Sequence, residues 1–127
     1  MFSIIIFDKP LNKIFFIRDR LGQKPLYYTF VGKSLIASSE IKDILFLLKR
    51  FKISILEDKE VVNKYLLRGW ADDDKKCFFK NIYQFPAGTY TIFKNKKLSN
   101  PISYWKLSLN KKEKFNPSLF KKKFDEN

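Results

Sequence analysis

Arg18-Asp19-Arg20-Leu21-Gly22-Gln23-Lys24-Pro25-Leu26-Tyr27-Tyr28 joins two strand-like runs, and the reading of the fold starts from this joint. Lys13-Ile14-Phe15-Phe16-Ile17 enters it, and Leu26-Tyr27-Tyr28-Thr29-Phe30 leaves it. Gly22 admits positive φ and Pro25 fixes φ as the second run begins, so the unit reads as β–turn–β. The cluster Arg18-Asp19-Arg20 has two readings. One is a functional charge cluster. The other, which is favoured, has Asp19 accepting hydrogen bonds from turn amides or from the neighbouring guanidinium groups.

Working outward, residues 2–7 form a continuous apolar run of strand length, suited to a strand buried on both faces. Asp8-Lys9-Pro10-Leu11-Asn12 is a turn. Strands over 13–18 and 25–30 follow, and Val31-Gly32-Lys33 turns the chain into Ser34-Leu35-Ile36-Ala37-Ser38. The four runs predict an antiparallel meander. The period then changes. Ile41, Ile44, Leu45 and Leu48 lie at helical spacing, with Ser39 as N-cap, Glu40 at the positive end of the dipole, and Lys49 and Arg50 at the other end. A second helix is predicted over about residues 58–68, capped by Asp58, with Val61, Val62, Tyr65 and Leu66 as its stripe and Gly69 at C′. Asp72-Asp73-Asp74-Lys75-Lys76 reads as a solvated loop. A strand over 89–94 follows Pro86-Ala87-Gly88 and returns through Asn95-Lys96-Lys97 to a strand over 102–107.

Composition narrows the function. One domain is the natural size for 127 residues, and 45% hydrophobic content with 17% aromatics supplies a core. The net charge of +13 raises a nucleic-acid or anionic-membrane partner. Yet only four of the 26 basic residues are Arg, at 18, 20, 50 and 68. The joint abundance of Lys, Phe, Ile and Asn is the bias that AT-rich codons give, and the Lys residues do not cluster with stacking aromatics. A solvated surface is the favoured reading. Cys77 is the single cysteine, which excludes an internal disulfide, and with no histidine the sequence argues against a zinc site. As a nucleophile Cys77 would lack a histidine base and would follow an acidic loop that disfavours its thiolate. The three aspartates at 72–74 have hard oxygens for a divalent cation but no further acidic ligand at a recognised spacing. No glycine belongs to a dinucleotide or phosphate-loop pattern. Tyr27 and Tyr28 alternate across a strand, one toward a core and one toward a second layer. The start Met-Phe-Ser-Ile-Ile-Ile-Phe-Asp lacks a basic region and a cleavage site, and no apolar run reaches the roughly 20 residues of a membrane span, so a cytoplasmic location is expected.

Six segments, in order, resemble the glutaminase domain of glutamine-hydrolysing asparagine synthetases. Arg18–Tyr28 is similar to that family's R-D-R-x-G-x-K-P-L-Y-Y, and Ala37-Ser38-Ser39-Glu40-Ile41-Lys42 to its A-S-E-I-K with one Ser inserted or substituted. Met1–Asp8 resembles the strand M-F-A-F-A-I-Y-D. Val62–Gly69 resembles the helix end A-L-x-x-Y-L-x-x-G, and Phe79–Tyr90 resembles F-x-G-I-x-x-L-P-P-G-x-x. Ser103-Tyr104-Trp105 resembles the closing R-Y-W. The resemblance covers residues 1–106.

The resemblance implies an α+β fold: part of an N-terminal-nucleophile glutaminase sandwich, mostly antiparallel strands with two amphipathic helices. It makes 1–107 a partial glutamine amidotransferase domain. It makes 108–127 a polar, Lys-rich linker toward a synthetase domain. In that family a chain-initial Cys attacks the glutamine amide and the free α-amino group assists as base. An Arg, an N-G-E segment and an Asp that hold glutamine lie upstream of the M-F-A-F strand, and the S-G-G-x-D-S loop that binds ATP with magnesium lies downstream. None has a counterpart in this sequence, which starts Met1-Phe2. No catalytic, cofactor-binding or metal-ligating residue is therefore assigned here. The expectation is a piece of such an enzyme, cut from both sides and inactive alone. The alternatives are a non-catalytic partner that completes a split glutaminase and a basic nucleic-acid-binding β module. An upstream glutaminase half and a synthetase domain are the expected partners; no membrane partner is.

Overall fold

The computed structural model describes residues 1–69, 75–107 and 116–126. Two antiparallel sheets face each other. The first contains β1 (Ser3–Asp8), β2 (Lys13–Arg18), β6 (Thr89–Lys94) and β7 (Lys97–Leu98) in the order β1-β2-β6-β7, with β8 (Ile102–Ser103) also on β6. The second has the order β4-β3-β5, from Ser34–Ser38, Tyr27–Val31 and Ile82–Gln84. Helices α1 (Ile41–Arg50) and α2 (Lys59–Arg68) lie between β4 and β5 in sequence, and α3 spans Pro117–Asp125.

Alternation along the strands sorts side chains into layers. Phe16, Leu26 and Phe85 are buried between the sheets, with Ile14, Tyr28, Leu35, Ala37, Phe93 and Leu98 packed around them. The Phe16 and Phe85 rings stack with centroids 4.8 Å apart, and Tyr28 meets Phe85 at 4.4 Å. On the far side of the second sheet, Ile44 and Leu48 of α1 pack with Cys77 and Ile82, against Tyr27, Val31 and Ile36. Tyr27 and Tyr28 thus serve two different layers, as their alternation predicts. The order is helix, sheet, sheet.

The other face of the first sheet carries Phe15, Ile17, Tyr90 and Ile92, paired in register as Phe15 with Ile92 and Ile17 with Tyr90. Among the described residues, the contacts between helices and strands fall on β3 and β4 and leave this face alone.

Several expectations need correction. The four strands do not form a meander. β1 pairs with β2 and β3 with β4, but β2 pairs with β6 and β3 with β5. The Arg18–Leu26 joint therefore crosses from one sheet to the other. Residues 2–7 are not buried on both faces: β1 is an edge strand, with Ile5 half exposed and Phe7 at 54%. At α1 the helix starts from Glu40, and Ser38, not Ser39, does the local bonding. Its hydroxyl accepts the Glu40 N–H at 3.2 Å and donates to Asp43 at 2.6 Å. Asp58 does cap α2, accepting from Glu60 and Val61, and Gly69 ends it in the left-handed conformation. Of the α2 stripe only Val61 is buried; Tyr65 and Leu66 are exposed. The strand expected over 102–107 is the two-residue β8. The loop aspartates at 72–74 lie outside the described residues.

Candidate functional site

A cleft of about 530 Å³ opens beside the inter-sheet joint, lined on one side by Leu21, Gly22, Gln23 and Pro25 and on the other by Gln84, Phe85, Pro86 and Ala87. Its geometry is set by two charged residues that face backbone.

Asp19 is 5% exposed. One carboxylate oxygen accepts the N–H groups of Leu21 at 3.1 Å and Gln23 at 3.0 Å; the other accepts those of Lys24 at 2.9 Å and Phe2 at 3.2 Å. A carboxylate ringed by amide donors holds its negative charge. Its pKa falls from 3.8 to about 2, chiefly through the Lys24 amide, with Gln23, Phe2 and Leu21 adding to it and burial opposing. A group this acidic is a poor general base near neutrality.

Arg18, 7% exposed, reaches across the cleft floor. Nε donates to Lys24 O at 3.0 Å, Nη2 to Gly22 O at 2.6 Å and Nη1 to Phe85 O at 2.6 Å. The Gln84 amide, turned with its oxygen toward Arg18, accepts from both Nη atoms at 2.8 and 3.1 Å. One planar, always-charged fork thus ties both cleft walls together.

Two glycines let these segments approach. Gly22 has φ +68°, and a Cβ there would stand 3.0 Å from both Ala87 Cβ and the Arg18 guanidinium. Gly88 has φ +63°, and a Cβ there would stand 3.1 Å from Trp105 O and 3.3 Å from Arg20 O. The Gly88 N–H donates to Asp19 O at 2.8 Å, and its carbonyl accepts the Tyr104 N–H at 3.1 Å. The Tyr104 hydroxyl donates to Arg18 O at 2.6 Å.

The candidates singled out in the sequence are thus separated. Asp19 takes the role expected of it, as acceptor of turn amides, and Arg20 is exposed. Cys77 is buried in the apolar layer under α1 and is not among the residues that line the cleft. Sequence reasoning did not foresee that Phe85, Pro86, Ala87 and Tyr104 close on the same turn. The available signals were the Pro86-Ala87-Gly88 break and the Ser103-Tyr104-Trp105 motif. Among the described residues no three His, Cys, Asp or Glu side chains converge to hold a metal ion. No described helix is long and apolar enough to cross a membrane.

The glutamine amidotransferase domain model matches residues 1–105. Over 116 residues the chain is 38% identical to glutamine-hydrolyzing asparagine synthetase 2 of Bacillus subtilis, covering 84% of this chain and 15% of that protein. It is 35% identical over 108 residues to a putative glutamine-hydrolyzing asparagine synthetase 2 of Methanocaldococcus jannaschii, covering 84% and 21%. A Gibberella zeae protein, amidase chry2, is 28% identical over 106 residues, covering 84% and 15%. The chain spans about a fifth or less of the length of these curated relatives. The family match takes in both sheets, the turn that joins them and the Tyr104–Trp105 segment that closes on it, and the chain belongs to the glutamine amidotransferase domain family.

Proposed function

We propose that this chain is the structural half of a glutaminase that releases ammonia from glutamine for an amidation, with aspartate as the acceptor. The attacking nucleophile comes from polypeptide outside these residues. The observation that carries this reading is the open first sheet. Its edge strand β1 leaves Ile4, Ile5, Ile6 and Phe7 between 39% and 54% exposed. Its outer face presents Phe15, Ile17, Tyr90 and Ile92. A sheet apolar on both faces is built to be covered on both. The covering polypeptide adds along β1 and over the outer face, and so brings the nucleophile to a scaffold that already holds its turns in place.

The amidation itself draws on ATP and magnesium, in keeping with the resemblance to the synthetases. The described residues do not fit that group: they hold no acidic cluster for the metal, and the sequence has no phosphate loop. Those ligands belong to a synthetase domain, and this chain's own residues take no step through them.

The test is ammonia release from glutamine by the purified chain, alone and mixed with the N-terminal part of the Bacillus subtilis relative. Alone, no turnover is expected. Turnover that appears on mixing and is unchanged by Cys77→Ala supports the reading. Turnover by the chain alone that Cys77→Ala abolishes overturns it.

A further inference from the structure

The C-terminal end of the sandwich is held by very little. β8 contributes two residues, Ile102 opposite Tyr90 and Ser103 opposite Thr89. Ile102 and Tyr104 are 41% and 42% exposed. Among the described residues the rest of the attachment is Tyr104, through its N–H to Gly88 O and its hydroxyl to Arg18 O, and the half-buried Trp105, which lies against Gly88. A segment with a short ladder and little apolar burial opens at lower free energy than the core it lies on.

What this segment touches gives its opening a consequence. Arg18 carries two sets of bonds. Its carbonyl receives the Tyr104 hydroxyl, while its guanidinium holds Gly22 O and Lys24 O on one cleft wall and Phe85 O on the other. Gly88 likewise links Tyr104 to Asp19 O, and the Asp19 side chain gathers the amides of Leu21, Gln23 and Lys24. Both Tyr104 bonds thus end on residues that hold the Arg18–Lys24 turn, while the β8 ladder itself rests on β6.

We infer that the Ile102–Trp105 strap and the Arg18–Lys24 turn open as one unit, so that the exit of the chain from the sandwich controls the width of the cleft. Tyr104 is the positioning residue of this device: it acts through Arg18 and Gly88 and lines no part of the cleft. Release of the strap loosens both cleft walls, and its docking tightens them. The inference concerns the 127-residue chain alone and does not depend on the proposed glutaminase role.

Native-state hydrogen exchange over a series of low denaturant concentrations tests it. The amides of Gly22, Gln23, Lys24, Gly88 and Tyr104 are expected to exchange through one common opening. They should share a denaturant slope and have far lower protection than the β2–β6 ladder. In Tyr104→Phe the whole set should lose protection by one common factor, about fivefold to tenfold for a single lost hydrogen bond. If the turn amides open only with the β2–β6 ladder while Tyr104 opens earlier, strap and turn are separate and the inference fails. If all of them open only with the ladder, there is no device. The wild-type measurement decides both points even should Tyr104→Phe fold poorly.

Discussion

The carboxylate of Asp19 accepts the backbone N–H of Phe2 at 3.2 Å, and the Asp19 N–H returns a bond to Phe2 O at 3.0 Å. This reciprocal pair ties the first residues of the chain to the turn between the sheets. The same side chain that organises Leu21, Gln23 and Lys24 also fixes where β1 begins.

That arrangement makes stability depend on pH in a defined window. The unfolded carboxyl takes its proton near its ordinary 3.8, while the folded one resists until about 2. A depressed folded value stabilises the native state above the ordinary value, and the contribution disappears as pH falls toward the folded one. Between about pH 4 and pH 2 the urea midpoint of the wild type should therefore fall more steeply than that of Asp19→Asn. At pH 7 Asp19→Asn should unfold at lower urea than wild type. Parallel pH profiles for the two proteins would remove Asp19 as the cause.

Gly88→Ala is expected to destabilise by about 2 kcal/mol or more. The left-handed conformation alone costs an L-residue about 1–2 kcal/mol, and the added carbon meets two backbone carbonyl oxygens that cannot swing aside. Urea unfolding measures this; a loss under about 0.5 kcal/mol, the range of an ordinary surface change, would contradict it.

Thr91 is 1% exposed, lies opposite Phe16 in the inter-sheet layer, and its hydroxyl has no hydrogen-bond partner among the described residues. A buried, unpaired hydroxyl costs about 1–3 kcal/mol, and valine has a similar shape and a higher strand propensity. Thr91→Val should raise stability by about 1 kcal/mol, read from the shift in urea midpoint at constant slope. A decrease would mean that the hydroxyl is satisfied in solution.

The exposed β1 edge should drive self-association of the isolated chain, and more so as salt rises. Charge repulsion from a net +13 opposes contact at low ionic strength and is screened at high. Sedimentation velocity over a salt series should show larger species at high salt, and Ile5→Lys, a charge in the middle of the edge, should suppress them. A compact monomer at every salt concentration would show that the open sheet is tolerated in water.

Local signals were legible in the sequence. The helical spacing of Ile41, Ile44, Leu45 and Leu48, the Asp58 cap and the Gly69 stop each act within one or two turns of chain, so neighbouring residues suffice to determine them. Asp19 as acceptor of turn amides was legible for the same reason: three of its four amide donors lie two to five residues away, and only Phe2 is distant. The family pattern was legible too, because its motifs are short and ordered.

Strand partnership was decided by the tertiary structure. Alternating apolar residues determine which side chains share a face, but they suit any neighbour in register. Nothing local says that β2 takes β6, 71 or more residues away, in place of β3 (Phe16 opposite Thr91, with 75 positions between their numbers). That choice sends the Arg18–Leu26 joint from sheet to sheet, opens the cleft beside it and brings Phe85, Gly88 and Tyr104 onto Arg18 and Asp19. The exposure of β1 was hidden for a related reason. An apolar run shows that a strand is suited to burial on both faces, but whether anything lies there depends on residues distant in the chain or outside it.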